Sequence, residues 1–232
     1  MASDGAQAAP VPGDHPDRLR WNARYAGDFA PSFVPHPLSI RALSMDLPDG
    51  PVAELACGPS GAALLAAANG RQVTAVDVSE IALGMLADKA RRHGLDHLIS
   101  LVHADLSGWR PAPRSHALVL CTGFWESAVF VASTQAVAAT GLLGWEAYTV
   151  EARHSRPSLL AEWCLAPGEP ASLLPPDFTV LDQRERGLKR QILARRQALT
   201  RRPARHCHGG GTLGIAADLG EAGLVMSAPG RA

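Results

Sequence analysis

The 232-residue chain has no apolar run long enough to span a membrane, no CxxC pair among its four cysteines and no excess of either charge, since 22 Lys and Arg balance 22 Asp and Glu. Each absence closes off a class of protein. Without about twenty consecutive apolar residues, no transmembrane helix is expected. Cys57, Cys121, Cys164 and Cys207 lie far apart, which suits free thiols in a reducing compartment and fits neither a disulfide framework nor a zinc ribbon. A formal net charge of zero supplies no global field to draw the chain onto nucleic acid or an anionic membrane, so the expected partner is a small molecule. Met1 to Pro16 has neither the basic start nor the apolar centre of a signal peptide, which predicts a cytoplasmic location.

What is present is a globular composition, with 47% hydrophobic and 19% charged residues in a chain long enough for one α/β domain with a sizeable core. The first 17 residues are rich in Pro, Gly and Ala and are expected to be mobile. Residues 18 to 48 carry Trp21, Tyr25, Phe29 and Phe33 and predict a cap made of a short helix, a Pro-rich loop and a helix from about Leu38 to Met45. From Pro51 the punctuation becomes regular. Strands are expected over Val52–Ala56, Val73–Val76, Ile99–His103, Ala117–Cys121 and Leu142–Val150. Helices are expected over Ala62–Ala68, Glu80–Arg92 and Ser127–Ala138, with Asn69-Gly70 and Gly94 as stops and Ser79 as an N-cap. Strands alternating with helices at this interval imply a parallel sheet covered on both faces. Phe178–Arg184 and Leu188–Arg196, separated by Arg186-Gly187, predict a closing hairpin. Residues 197–232 are expected to form a tail outside the domain.

In a doubly wound sheet ligands sit beyond the carboxyl ends of the strands, where strand order reverses. The residues at those positions are informative. Glu54-Leu55-Ala56-Cys57-Gly58-Pro59-Ser60-Gly61 puts small residues where backbone must pass close to a ligand, followed at once by a helix N-terminus with free amide donors. Asp77 comes 19 residues after Gly58 at the end of the next strand, close to the spacing at which a carboxylate accepts from the two ribose hydroxyls of an adenosine. Asp105, in His103-Ala104-Asp105-Leu106, could accept from an adenine amino group.

Together with Trp21-Asn22-Ala23-Arg24-Tyr25, Val76-Asp77-Val78-Ser79 and the closing hairpin, these motifs make residues 18–196 resemble class I S-adenosylmethionine (SAM)-dependent methyltransferases. The resemblance is greatest to the small bacterial group similar to the tellurite-resistance and thiopurine enzymes. It implies an α/β, Rossmann-like, doubly wound seven-stranded sheet, mostly parallel with a C-terminal antiparallel hairpin. It further implies that Glu54, Ala56 and Gly58 hold the methionine portion of SAM, Asp77 the ribose, Val78 and Leu106 the adenine, and Asp105 its amine. Trp21, Arg24 and Tyr25 would close over the cofactor, and Cys121 with Thr122 would lie where sulfonium and acceptor meet. The sequence departs from the family pattern at Ala56 and Ser60, which replace glycines and fit if their dihedrals are negative. It departs again at Ala117, where an acidic residue is common.

Ala56 to Gly61 is also one substitution from the GxGxxG of nicotinamide enzymes, so an NAD-dependent oxidoreductase stands as a rival, as does a SAM-binding protein without catalysis. Glu54 argues against the oxidoreductase, whose strand would stay apolar there. So does Tyr148, which has Ala152 and not lysine four residues on. Glu126, Glu146 and His154 are the candidate general bases. Trp125 and Phe124 either line an acceptor site or pack helix on sheet. Three adjacent residues, His206-Cys207-His208, cannot all face one ion, so no metal site is expected. The arginines at 195, 196, 201, 202 and 205 are expected to be solvated charge on a frayed tail.

Overall fold

Each short apolar run in the middle of the chain becomes a strand because the sheet buries it on both faces, and side chains alternate between the two. The computed structural model describes residues 11–198. It contains β1 (Val52–Leu55), β2 (Val73–Asp77), β3 (Ile99–His103), β4 (His116–Thr122), β5 (Val137–Tyr148), β6 (Phe178–Arg186) and β7 (Lys189–Arg196). Their order is β3-β2-β1-β4-β5-β7-β6. The first five run parallel to one another, and β7 runs antiparallel between β5 and β6. This is the expected Rossmann-like sheet with its closing hairpin, and the switch in strand order falls between β1 and β4. Among the described residues no helix is long and apolar enough to cross a membrane.

One face of the sheet presents Val52, Ala75, Leu118, Leu120, Leu142 and Leu193 to α2 (Pro37–Leu43), α3 (Gly61–Ala68) and α4 (Glu80–Arg92). The other presents Leu55, Val76, Val119, Leu143, Trp145 and Ile192 to α5 (Ser127–Ala136) and to Trp109, Trp125 and Phe130. Trp125, Phe130 and Trp145 meet with centroids 5.2 to 6.3 Å apart in tilted and edge-on geometries, the arrangements their quadrupoles favour. The helices start on serine caps: Ser60 accepts from the amides of Ala62 and Ala63, and Ser79 from that of Ala82. Gly70 (φ +76°) and Gly94 (φ +66°) adopt the left-handed conformation just after α3 and α4.

The cap is anchored by polar contacts. In α1 (Pro16–Ala26), Arg18 makes a bidentate pair with Glu80, and Asn22 accepts from the Ser79 hydroxyl at 2.7 Å. These bonds tie α1 to the first turn of α4. α1 begins at Pro16, two residues before the expected start of the domain.

The structure moves some boundaries. α5 ends at Ala136 and β5 starts at Val137, not Leu142, because pairing with His116 draws the chain into the sheet against the helical preference of Ala138-Ala139. The register shift that follows is absorbed at Thr140 (φ +63°) and Gly141. Arg195 and Arg196 are corrections as well. Both lie in β7 and not in a tail. Arg196 is buried, pairs with Asp177 at 2.8 Å and donates to the carbonyls of Thr134 and Val137. Arg195 donates to those of Thr140 and Asp46. The Arg196 guanidinium gives a further donor to carbonyls at the end of α5, where the Thr134 oxygen also accepts from the Val137 amide, and a run of basic letters does not reveal this. Arg201, Arg202, Arg205 and His206-Cys207-His208 lie outside the described residues, as does all but the first two residues of the expected tail.

Two glycines test the packing with opposite signs. A Cβ on Gly61 would sit 2.4 to 2.6 Å from backbone atoms of Phe33, Val34 and Pro35, whereas Gly84, exposed within α4, has nothing within 4 Å. Gly61→Ala should destabilise by about 1–3 kcal/mol, and Gly84→Ala should stabilise by about 0.5–1 kcal/mol. Thermal melts of the two variants should therefore shift in opposite directions.

Candidate functional site

The residues that follow the parallel strands meet at one end of the sheet. After β1 the chain turns through Ala56 (φ +47°) and Gly58 (φ +56°). The negative dihedral expected of the two glycine replacements is met at Ser60 (φ −87°) and not at Ala56, where a methyl group stands in the left-handed region at a cost of roughly 1–2 kcal/mol. Serine at 60 has its own use. Its hydroxyl caps α3 and donates to Glu54.

At the end of β2, Asp77 is buried with both oxygens engaged: one accepts from the Gly58 amide and the other from the Ser79 amide, each at 2.8 Å. Burial raises its pKa, opposed by those backbone donors. The Tyr25 phenol lies where a Cβ on Gly58 would come within 3.0 Å of its oxygen. Burial, with Asp77 nearby, pushes that phenol up to about 12, so it stays a neutral donor. After β3, Asp105 accepts from the amide and hydroxyl of Ser107, with the His15 ring 3.6 Å away.

These strand ends, α1 and the segment after β5 enclose a cavity of about 860 Å³, within the size range of small-molecule sites. Of the positions expected to hold a cofactor, Trp21, Arg24, Tyr25, Ala56 and Gly58 border it, as do Asp77, Val78, Asp105 and Leu106. Glu54 and Cys121 are not part of its lining and lie buried in the sheet. Burial raises the Glu54 carboxyl to about 7 against the pull of its Ser60 hydrogen bond, and burial also pushes the Cys57 and Cys121 thiols up.

The remaining lining was only partly foreseen. Thr122 ends β4 and Phe124 and Trp125 follow it, and the two aromatics serve both wall and core. Tyr148 ends β5, where a strict use of the strand-end rule would have found it. Arg156, Leu159 and Trp163 come from the connection between β5 and β6, whose sequence has no periodicity to signal a wall. Arg20, one turn from Arg24 on α1, also borders the cavity.

None of the three candidate bases reaches this lining. Glu146 falls on the α2 face of β5, one residue out of phase with Trp145, and is held by Lys189 at 2.8 Å, by Gln191 and by the His36 ring at 3.3 Å. Burial would raise its pKa, but these donors outweigh it and hold the carboxyl at about 2. His154 is exposed in a 3₁₀ turn with Nδ1 3.0 Å from the Glu151 carbonyl. Glu126 occupies the N-cap position of α5 without a capping hydrogen bond.

Comparison with known proteins agrees with this geometry. Residues 52–140 match the family model of a methyltransferase domain. No curated protein sequence matches the chain significantly. Among solved structures, one from work on the conversion of a disulfide bond into a thioacetal group during echinomycin biosynthesis is 17% identical, with 79% of this chain and 94% of that one covered at a TM-score of 0.60. Geranyl diphosphate C-methyltransferase from Streptomyces coelicolor A3(2) is 11% identical over 83% of this chain and 92% of its own, at 0.58. The [4+2]-cyclase SpnF is 14% identical over 84% and 99%, also at 0.58. At these identities the likeness establishes the fold.

Glu54 yields a pH test. A carboxyl whose folded pKa of about 7 lies above its ordinary 4.5 stabilises the fold while protonated; that contribution is complete below about pH 4.5 and is lost as pH rises through 7. The melting temperature of the ligand-free protein should fall between pH 5 and 8. Glu54→Gln should remove about 2–3 kcal/mol of that dependence. Parallel melting profiles for the two proteins would show that Glu54 does not titrate in this range.

Proposed function

We propose that this chain is a SAM-dependent methyltransferase that passes a methyl group by in-line displacement to a small-molecule acceptor. The observation that carries this is the convergence of Asp77, Asp105, Val78 and Leu106, from the ends of β2 and β3, on one cavity floored by the Ala56–Gly58 turn. An adenosyl group fits these residues. Asp77 uses two of its roughly four acceptor sites on backbone amides and keeps the others for ribose hydroxyls. Gly58 has no side chain to fill the space beneath Tyr25, Val78 and Leu106 offer apolar faces to a base, and Asp105 offers an acceptor for an amine. Arg24 supplies a cation for the amino-acid carboxylate. Glu54 would act from below, by fixing Ser60 and the start of α3, and Cys121 by packing under the cavity floor.

SAM, when bound, supplies a methyl group already activated by its sulfonium. What remains for the protein is position and dryness. α1 holds Trp21, Arg24 and Tyr25 over the cavity through the Arg18–Glu80 pair, which keeps water from the floor. Phe124, Trp125 and Tyr148 wall the side from which an acceptor approaches. The loops after β4 and β5 place hydroxyls but no carboxylate or imidazole on this lining, so no general base is assigned. An acceptor atom that arrives with a free electron pair suits such a site.

Residues 18–196 serve as the working domain, with 18–48 as its cap. The Trp21–Tyr25 segment and the closing hairpin favour the tellurite-resistance and thiopurine group within the class. The free thiols of Cys57, Cys121 and Cys164 favour a reducing compartment and hence the cytoplasm.

Isothermal titration should find SAM and S-adenosylhomocysteine bound at about micromolar affinity and no binding of NAD. Asp77→Ala should weaken SAM by about 1.5–3 kcal/mol, the worth of a charge-assisted contact. NAD binding without SAM binding would reverse the assignment, and an unchanged SAM affinity in the variant would take Asp77 out of the site.

A further inference from the structure

We propose, building on the methyl-transfer reading of the cavity, that the acceptor is a flat aromatic molecule bearing an oxyanion, a carboxylate or phosphate, which the Arg156 guanidinium receives. Three arginines border the cavity: Arg20, Arg24 and Arg156. Arg20 has a partner in Asp17 at 3.4 Å and stacks 4.5 Å from the centre of the Trp163 ring. Arg24 lies on α1 over Trp21 and Phe29, beside the part of the cavity given to the cofactor. Arg156 is different. It comes from the connection after β5 and not from α1, its guanidinium stands 5.0 Å from the centre of the Tyr148 ring, and like that of Arg24 it makes no hydrogen bond or ion pair among the described residues.

A stacked guanidinium has its plane fixed while its edge, with five N–H donors, stays free for a bidentate acceptor. No such acceptor is supplied locally. The loops after β4 and β5 bring no Asp or Glu to the lining, and the other cation against the Tyr148 ring, Lys189 at 5.1 Å, is already taken by Glu146. Asp17, Asp77 and Asp105 lie on the rest of the lining, so among the described residues of the part that follows β4 and β5 Arg156 is the one charged side chain. A bound oxyanion balances it.

The walls argue for the rest of the molecule. Phe124, Trp125, Tyr148 and Trp163 all border the cavity, four of only 12 aromatic residues in the chain, so the apolar surface on offer there is largely flat. Rings prefer offset or edge-on contact with rings, which selects a planar body. Arg156 is exposed, at the rim, so the oxyanion lies outermost and the ring inward.

The test is a titration of the full chain saturated with S-adenosylhomocysteine, using 2-naphthoate, 2-naphthyl phosphate and neutral 2-naphthamide as probes. At least one anion should bind tenfold or more tightly than the amide, and whichever binds tighter identifies the group. Arg156→Ala should abolish that preference, Arg156→Lys should retain part of it, and both should bind S-adenosylhomocysteine within about twofold of the parent. Equal binding of amide and anions, no binding of any probe, or an undiminished preference in Arg156→Ala would overturn the assignment. Failure of S-adenosylhomocysteine itself to bind would instead sink the methyl-transfer reading. The anion preference, repeated on the free protein, would then still decide the role of Arg156.

Discussion

Asp77 joins three pieces of chain just beyond the paired residues of β1 and β2. Its carboxylate, buried at the end of β2, accepts from the amide of Gly58 in the turn after β1 and from that of Ser79 at the start of α4. Each donor offsets part of the cost of removing a charge from water, which for an unpaired carboxylate would be prohibitive. The turn, the strand end and the helix start are thereby held as one unit. Ser79 extends it, since the same residue caps α4 and donates to Asn22 of α1. Floor and cap of the cavity therefore share a single polar network.

The two faces of the sheet divide the work. On the α2–α4 face, alanines in α3 and glycine at 61 let helix, strand and the Phe33–Pro35 loop approach closely. On the other face large aromatics fill the space beneath α5, and Phe124 and Trp125 reach from that core into the cavity wall. Strand alternation assigns each charged residue to one side. Glu146 falls with Leu142 on the α2 face, where His36, Lys189 and Gln191 make it an anchor within the structure and keep it from the cavity.

A shared fold does not carry a shared reaction. This sheet superposes about equally well on a C-methyltransferase and on a [4+2]-cyclase. What distinguishes such proteins is the lining beyond the carboxyl ends of the strands. On the proposed reading, the lining after β2 and β3 receives the adenosyl group. The lining after β4 and β5 is aromatic and cationic and carries no carboxylate or imidazole, which on the same reading restricts the acceptor more than the chemistry.

Most of the sheet was legible because short apolar runs bounded by Gly, Asn and Ser are local signals. Asp77 and Gly58 were legible because strand ends in a doubly wound sheet are ligand positions whatever the rest of the chain does. Arg196 was not: whether a guanidinium is solvated or buried against the carbonyls at a helix end depends on where α5 ends, and that is decided by pairing with β4. Nor were Arg156 and Trp163, which reach the cavity from a connection with no periodic pattern. The sequence alone determined the order of strands and helices, the caps and the small residues of the turn that borders the cavity, because these follow from neighbours a few positions away. Tertiary structure alone decided which carboxylates face the cavity, which are spent as anchors, and which cations on its lining keep no ion-pair partner among the described residues, because those outcomes depend on distances between residues far apart in the chain.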